Sequence, residues 1–290
     1  MFKFFNQSSN RVLATGTLLL SLLASGSIAL LHQDSAFAQR VGVRNLRSFA
    51  EFCRGRNSAS PATRQTINVL LLQAGTEDCN RAGQILGSSQ RISLVGQSIS
   101  DLTPLQSLSN VRELSLGGNS ITDLSPLQTL SNLRVLNLDN NRVANLQPLR
   151  SLTSLNELSL VLNPVTDISP LRPLTNLTNL YLGANQIRDI SALSGMTRLQ
   201  ELSLGDNQIS NITPLRNLTN LVTLSLNDNQ VNNLQSLANL TNLVSLNLNN
   251  NQVRDISPLR SMAFMQTLYL QNNPISNPQC PFSPVTICNF

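Results

Sequence analysis

A repeat of 22 residues constrains this chain more than any other feature. Between Val111 and Pro274 the repeat runs without insertion or deletion. Its eight blocks begin at Val111, Leu133, Leu155, Leu177, Leu199, Leu221, Leu243 and Met265, and a degenerate block, SQRISLVGQSISDLTPLQSLSN, precedes them. Self-similarity at a fixed period predicts a solenoid, in which each repeat packs against its two neighbours.

The apolar spacing changes within each block. Leu114 and Leu116 alternate with polar residues, which is typical of a short strand. The apolar residues that follow recur every three positions, at Ile121, Leu124, Leu127 and Leu130. This spacing indicates a 3₁₀ or tight helical return segment, and Pro126 argues against a long α-helix through it. We therefore expect stacked parallel strands on one side and short return segments on the other.

The consensus LxxLxLxxNxIxDIxPLxxLxN resembles the leucine-rich repeat family, most of all its internalin-like class of 22-residue repeats. The resemblance covers about residues 89–278, or about nine repeats. It implies an α/β solenoid that forms a right-handed arc, with a parallel β-sheet on the concave face and short 3₁₀ or helical segments on the convex face. It also implies a helical N-terminal cap and a role in recognition by the concave face.

The most repetitive polar residues have a structural interpretation. One asparagine per block, from Asn119 to Asn273, follows the strand, where its amide can bond the backbone of the turn and of the next repeat. The Asp or Asn at the next turn, as in Asp123 and Asn145, has the same explanation. A calcium site is the alternative, but one carboxylate per turn is a poor ligand set.

The first 38 residues have the pattern of a secretory signal peptide. Lys3 and Arg11 precede an apolar run over 12–31, and Ala36-Phe37-Ala38 forms a small-x-small cleavage signature. We predict cleavage after Ala38 and a secreted, periplasmic or cell-surface protein, which contacts the membrane only transiently through this segment. An uncleaved membrane anchor is the alternative, because the run is just long enough to span a bilayer.

Four cysteines flank the solenoid and suit an oxidising compartment. Four cysteines allow three pairings, but the two ends of a solenoid are far apart, which favours Cys53 with Cys79 and Cys280 with Cys288. A zinc site lacks histidine ligands in the mature chain. The bridges are expected to hold an N-terminal cap over 39–88 and a C-terminal cap over 279–290, which shield the apolar ends of the core.

The N-terminal cap has helical patterning. We expect one helix from Arg44 to Arg54, and a second that starts at Pro61 behind the N-cap Ser60 and stops at Gly75. A third is expected at about 77–86 behind Thr76. Between Gln39 and Arg91 eight arginines face three acidic residues. Such a basic cap suits either contact with an anionic surface or simple solubility.

The composition argues against catalysis. The only histidine, His32, and the only lysine, Lys3, both lie in the segment expected to be removed. The chain has no phosphate-binding glycine loop and no serine elbow, and the acidic residues are mostly turn residues. We therefore predict a protein that is not an enzyme and needs no cofactor. It also lacks the interleaved aromatic and basic residues of a nucleic-acid binder.

Function is then expected at the outward positions of the strands. Val135, Val161 and Tyr181 fall on adjacent strands with Leu162 at the rim, which predicts an apolar centre for binding. Scattered exposed apolar residues are the alternative explanation. The candidate concave partner-binding residues are Glu113, Val135, Asp139, Glu157, Val161, Leu162, Tyr181, Glu201 and Tyr269.

Three functions remain open from the sequence. The first is a monomeric, non-catalytic module that binds a protein partner. The second is a binder of polysaccharide or wall polymer that uses Tyr181 and Tyr269 for stacking and the Asn-rich C-terminal half for hydrogen bonds to hydroxyls. The third is a structural envelope component. Arginines at one convex repeat position offer either solvated charge or a second interaction stripe; they are Arg150, Arg172, Arg216 and Arg260.

Overall fold

The computed structural model describes residues 47–276 and 278–290. The signal peptide expected at 1–38, its cleavage site and the helix start expected at Arg44 lie outside these residues. The α-helices of the described residues are α1 (Phe49–Arg54), α2 (Pro61–Ala74) and α3 (Cys79–Ser88). The strands are β1 (Arg91–Ser93), β2 (Glu113–Ser115), β3 (Val135–Asn137), β4 (Glu157–Ser159), β5 (Asn179–Tyr181), β6 (Glu201–Ser203), β7 (Thr223–Ser225), β8 (Ser245–Asn247), β9 (Thr267–Tyr269) and β10 (Cys288–Asn289).

Short 3₁₀ helices form the return segments, as the spacing of three predicts. They span Thr103–Leu105, Ser125–Thr129, Gln147–Ser151, Ser169–Leu171, Ser191–Gly195, Thr213–Asn217, Gln235–Leu237 and Ser257–Ser261, with further 3₁₀ turns at Arg56–Ser58 and Val285–Ile287. Proline occupies the first turn of most of them, where its missing N–H costs nothing.

The strands form one parallel sheet whose order follows the sequence from β1 to β10. Register is fixed by the repeat: Leu114 pairs with Leu136, and Leu136 with Leu158. The middle residue of each strand and the apolar residues of the return segment are buried in columns. The predicted parallel solenoid of the leucine-rich repeat arc, with its Leu and Ile core, is confirmed.

The asparagine ladder is also confirmed. Asn141 Nδ2 donates to the carbonyl oxygens of Leu138 at 3.0 Å and Leu116 at 2.9 Å, and its Oδ1 accepts the N–H of Ile121 at 3.0 Å. The same pattern recurs in the later repeats. The turn Asp and Asn residues accept the backbone N–H two residues later, as Asp123 does from Ser125 at 2.8 Å. Both sets of residues therefore serve the backbone.

The N-terminal cap differs from expectation at two helix starts. Helix α1 begins at Phe49, because the hydroxyl of Ser48 accepts the N–H of Glu51 and the Glu51 carboxylate accepts the N–H of Ser48. Arg47 and Ser48, which the prediction placed inside this helix, are not helical. Helix α3 begins at Cys79, two residues later than expected, because Asp78 accepts the N–H of Arg81 at 2.8 Å and acts as the N-cap.

The remaining cap features follow the sequence. Helix α2 has Ser60 as its N-cap and ends before Gly75, which adopts the left-handed conformation with φ of 66°. Its apolar face joins one core cluster with the repeats. Disulfide bonds join Cys53 to Cys79 and Cys280 to Cys288, as predicted.

The C-terminal cap adds a strand that the repeat pattern does not contain. Strand β10 pairs with β9, and Leu270 donates its N–H to the carbonyl oxygen of Asn289 at 2.7 Å. Cys288 begins this strand, so the second disulfide bond holds the last strand of the sheet in place. At the other end, Thr63 of α2 donates to the Asp101 carboxylate at 2.5 Å, and Thr66 to its carbonyl oxygen at 2.7 Å.

Candidate functional site

The outward side chains of the sheet form three columns. The middle residue of each three-residue strand is buried, so the first and third residues face outward, as Glu113 and Ser115 do in β2. A third column lies two residues beyond each strand. The inter-repeat backbone bonds extend that far, because Asn140 donates its N–H to Val161 O at 2.8 Å and Leu162 donates to Gly183 O at 3.1 Å. This regular lattice fixes the relative positions of the candidate residues.

The lattice brings Val161 and Tyr181 together but not Val135. Val161 and Tyr181 differ by one strand and two residues, or roughly 8 Å between Cα atoms. Val135 lies in the first column, and it differs from Val161 by one strand and four residues, or roughly 14 Å. We therefore define the concave patch as Val161, Leu162 and Tyr181, with Val135 outside it.

Leu162 has an unusual backbone conformation. Its φ is 58°, in the left-handed region, and its side chain is 57% exposed. At the equivalent positions of other repeats, Gly, Asn and Asp tolerate this conformation better than leucine does, and Ala184 exposes only a methyl group. These residues are Gly118, Asn140, Ala184, Asp206, Asp228, Asn250 and Asn272. A large apolar side chain here is unfavourable twice, through backbone strain and through exposure to water.

Glycine occupies the position equivalent to Val161 on the next two strands. Gly183 and Gly205 occupy the third column there, and both are buried despite their position on the outward face. A Cβ added to Gly205 would clash with the Asn227 side chain, which therefore packs over this glycine. The absence of a side chain at Gly205 makes room for Asn227.

Tyr181 is held by polar neighbours. Its hydroxyl donates to Glu201 Oε2 at 2.5 Å and accepts a hydrogen bond from Asn179 Nδ2 at 3.1 Å. Burial, the hydrogen bond to Glu201 and the negative charge of Glu157 raise the pKa of Tyr181 above its ordinary value. The ring is therefore neutral at physiological pH and fixed in orientation, which suits a rigid aromatic anchor.

The acidic candidates have different surroundings. Asp139 accepts three hydrogen bonds, from the Ser159 hydroxyl at 2.5 Å, the Val161 N–H at 2.8 Å and Asn137 Nδ2 at 2.8 Å, so it fixes the strand ends. Glu113 forms a salt bridge with Arg91 at 2.7 Å. In the part of the chain that the structure describes, no cationic side chain lies within 4 Å of the carboxylates of Glu157 and Glu201.

Tyr269 is separate from the other candidates. It lies on β9, four strands from Tyr181, or roughly 19 Å away across the sheet. Its side chain is 38% exposed. The two tyrosines therefore do not form one stacking platform.

Neither a clustered set of metal ligands nor a membrane-spanning helix is found in the described residues. Within 47–276 and 278–290, no group of three or more His, Cys, Asp or Glu side chains is placed to hold a metal ion. A helix with the length and apolar character to cross a bilayer is likewise missing from those residues.

Comparison with known proteins identifies the family. The family model for leucine-rich repeats in two copies matches residues 109–151, 131–173, 153–195, 197–239 and 241–280. The sequence has no significant match among curated proteins.

Solved structures give a consistent result. An internalin C2 from Listeria monocytogenes is 34% identical with a TM-score of 0.67, and the match covers 76% of this chain and 94% of that one. An internalin (inlF) from the same organism is 30% identical with a TM-score of 0.70, covering 80% and 75%. The leucine-rich repeat ectodomain of the receptor kinase GASSHO1/SCHENGEN3 from Arabidopsis thaliana, in complex with CASPARIAN STRIP INTEGRITY FACTOR 2, is 26% identical with a TM-score of 0.57, covering 63% and 24%. This chain belongs to the leucine-rich repeat family and is internalin-like.

Proposed function

We propose that this protein is a secreted, non-catalytic recognition module that binds a protein partner through the concave patch. Leu162 carries the proposal. An exposed leucine in a left-handed conformation destabilises the folded protein, and such strain is found most often where it serves binding or catalysis. Leucine offers no catalytic group, which leaves binding.

The surroundings of Leu162 support a protein ligand. The neighbouring Val161 and the fixed ring of Tyr181 provide apolar contact area, while Glu157 and Glu201 provide a charged rim. An apolar centre with a polar rim is the usual composition of a protein interface. Leucine-rich repeat proteins of the internalin kind mediate protein recognition, and the plant receptor ectodomain was solved in complex with its factor.

The polysaccharide alternative has less support on the concave face. The two tyrosines are separated by roughly 19 Å. The polar side chains of the C-terminal half also bond one another: Asn250 Nδ2 donates to Asp228 at 2.6 Å, and Thr267 donates to Ser245 at 3.0 Å. Groups that are already paired offer less to the hydroxyls of a sugar.

Secretion is part of the proposal. The two disulfide bonds and the internalin-like relatives indicate an extracellular protein. Cleavage after Ala38 is tested by N-terminal sequencing of the protein recovered from the medium or the periplasm. A mature N-terminus at Gln39 is expected, and an intact N-terminus in the membrane fraction would instead indicate an anchor.

Two matched double variants test the binding surface. Val161→Asp with Tyr181→Ala changes the concave patch, and Asn249→Asp with Tyr269→Ala makes the corresponding changes four repeats later. We expect proteins captured by the wild-type chain from the extracellular material of the source to be lost from the first variant, with at least about a tenfold fall in affinity, and kept by the second. Circular dichroism confirms that both variants are folded.

The other outcomes identify the alternatives. Capture that survives the first variant but not the second would place binding near Tyr269 and overturn the proposal. A glycan array run with the same variants tests the polysaccharide alternative directly. The absence of any specific ligand in both assays would favour a structural envelope component.

A further inference from the structure

A second asparagine ladder runs along the flank that precedes the strands. The last residue of the repeat is usually asparagine, and its Nδ2 donates to the carbonyl oxygen 23 residues earlier at 2.7 to 2.9 Å. The donors are Asn110, Asn132, Asn176, Asn220 and Asn242. Like the first ladder, it joins successive repeats.

This flank ladder lacks its asparagine at Ser154, Arg198 and Phe264. The interruption at Ser154 is the one that lies beside two further arginines. Serine is too short to reproduce the asparagine bond, which would end on the carbonyl oxygen of Ser131. A groove of about 370 Å³ lies at the interruption. It is lined by Arg112, Asn132, Arg134, Ser154, Asn156 and Asn176. Its volume is within the range of small-ligand sites.

The charge in the flank groove is positive. Arg112 and Arg134 are exposed on successive repeats, and no carboxylate in the described part of the chain lies within 4 Å of either guanidinium. Arg198 adds a third cation beside the groove, because its Nη1 donates to Asn176 Oδ1 at 2.9 Å. Two neighbouring cations without a counter-charge favour an anionic ligand.

The lining residues also indicate the chemical class of the anionic ligand. All six lining side chains are polar, so the groove offers no aromatic ring for a nucleobase and no apolar wall for a lipid chain. The guanidinium fork matches carboxylate and sulfate oxygens. The Nδ2 groups of Asn132, Asn156 and Asn176 already donate to backbone carbonyl oxygens, and Asn176 Oδ1 accepts from Arg198. The hydroxyl of Ser154 and the side-chain oxygen atoms of Asn132 and Asn156 are the groups that suit sugar hydroxyls.

We propose that the flank groove binds an acidic polysaccharide through its carboxylate or sulfate groups. Arg112 and Arg134 hold the anionic group, and Ser154 and the side-chain oxygen atoms of Asn132 and Asn156 hold the sugar hydroxyls. The site is separate from the concave patch, so it stands whether or not that patch binds a protein.

Polymer binding tests this proposal with variants of equal charge. Polygalacturonate carries carboxylates, dextran sulfate carries sulfates, and neutral dextran is the reference. We expect Arg112→Gln with Arg134→Gln to weaken binding of at least one anionic polymer by about tenfold or more. The control, Arg216→Gln with Arg260→Gln, removes the same charge from the convex position and is expected to bind as the wild type does.

Ser154→Asn tests the effect of the groove's shape separately from the effect of the protein's net charge. The longer side chain fills the interruption and restores a bond to Ser131 without altering the charge, so we expect binding to fall by about tenfold while the protein stays folded by circular dichroism. An equal loss in both arginine pairs, or wild-type binding by Ser154→Asn, would overturn the proposal. Failure of both anionic polymers to bind the wild-type chain better than dextran would overturn it as well. The polymer with the larger arginine-dependent loss shows whether carboxylate or sulfate is preferred.

Discussion

Tyr181 and Tyr269 occupy the same lattice position four repeats apart, yet they lie in different surfaces. The diagonal neighbours of Tyr181 are Val161 and Leu162. The equivalent neighbours of Tyr269 are two asparagines. The hydroxyl of Tyr181 is also fixed between Asn179 and Glu201. One aromatic position therefore stands beside an apolar pair, of which Leu162 is exposed, in one half and beside a polar pair in the other.

The two halves also differ at the positions with positive φ, which include Leu162 and Asn250. In the C-terminal half, Asn272 donates to Asn250 at 2.6 Å, and Asn250 donates to Asp228 at 2.6 Å. This row pairs its own polar groups. At the equivalent position Leu162 exposes a side chain that nothing in the described structure covers.

The buried scaffold is nearly the same in both halves. The asparagine ladder, the leucine columns and the strand register continue through them without change. The comparison therefore assigns the difference to the outward positions, where substitution is free of packing constraints.

Loss of a ladder asparagine should destabilise both halves equally. Asn163 and Asn251 are both buried, and each donates to carbonyl oxygens of two repeats and accepts one N–H. We expect Asn163→Ala and Asn251→Ala each to lower the free energy of unfolding by about 3 kcal/mol, because buried backbone groups lose their partners. Urea unfolding measures the change, with the exposed Asn232→Ala as control. A difference above about 1 kcal/mol between the two variants would mean that the scaffolds differ.

Exchange of the left-handed residues should have opposite effects in the two halves. We expect Leu162→Asn to raise the free energy of unfolding by about 1 kcal/mol, because asparagine tolerates positive φ better than leucine. The reverse change, Asn250→Leu, should lower it by about 2 kcal/mol through strain and the loss of its bonds to Asp228 and Asn272.

The same variant separates stability from binding. If Leu162 serves recognition, Leu162→Asn is more stable than the wild type in urea but binds the partner more weakly. Greater stability with unchanged binding would mean that the strain at Leu162 has no role in binding. The functional contrast between the two halves would then be weaker.

The sequence predicts the buried parts of the molecule, because the same buried environment recurs in every repeat. Every copy of Leu114 or Asn141 meets the same environment, so one physical argument applies to all repeats. The cysteine pairs follow from the distance between the two ends. These predictions need no knowledge of individual side-chain conformations.

The outward surface is less predictable because its bonds depend on neighbours from other repeats. Asp139 looks like an exposed acid in the sequence, but it is occupied by Asn137, Ser159 and Val161. The strain at Leu162 has a signal in the sequence, since most equivalent positions carry Gly, Asn or Asp. The separation of Val135 from Val161 is also deducible from strand register once columns rather than strands are compared.

A comparison of the two ends of the solenoid tests what the N-terminal cap adds to the first repeat. Asp101 and Asp255 occupy the same repeat position, and both accept the N–H of the residue two positions later. Only Asp101 also accepts a bond from the cap, through Thr63. Burial by itself raises the pKa of Asp101, but the hydrogen bonds from Thr103 and Thr63 outweigh it, so the pKa lies below its ordinary value of 3.8. Its stabilising effect is therefore present above pH 3.8 and lost as the pH falls through the lowered pKa.

We expect Asp101→Asn to lower the free energy of unfolding at neutral pH by about 0.5 to 1 kcal/mol, a value reduced for the partial exposure of the carboxyl group. The variant should also lose less stability than the wild type between pH 4 and 2, since its amide does not titrate. The hydrogen bonds of the Asp255 carboxylate come from Ser257 and not from a cap residue, so Asp255→Asn should have a smaller effect. Hydrogen exchange in α2, measured across this pH range, locates the change. If exchange in α2 responds to acid equally in the wild type and in Asp101→Asn, the carboxylate does not hold the cap to the first repeat.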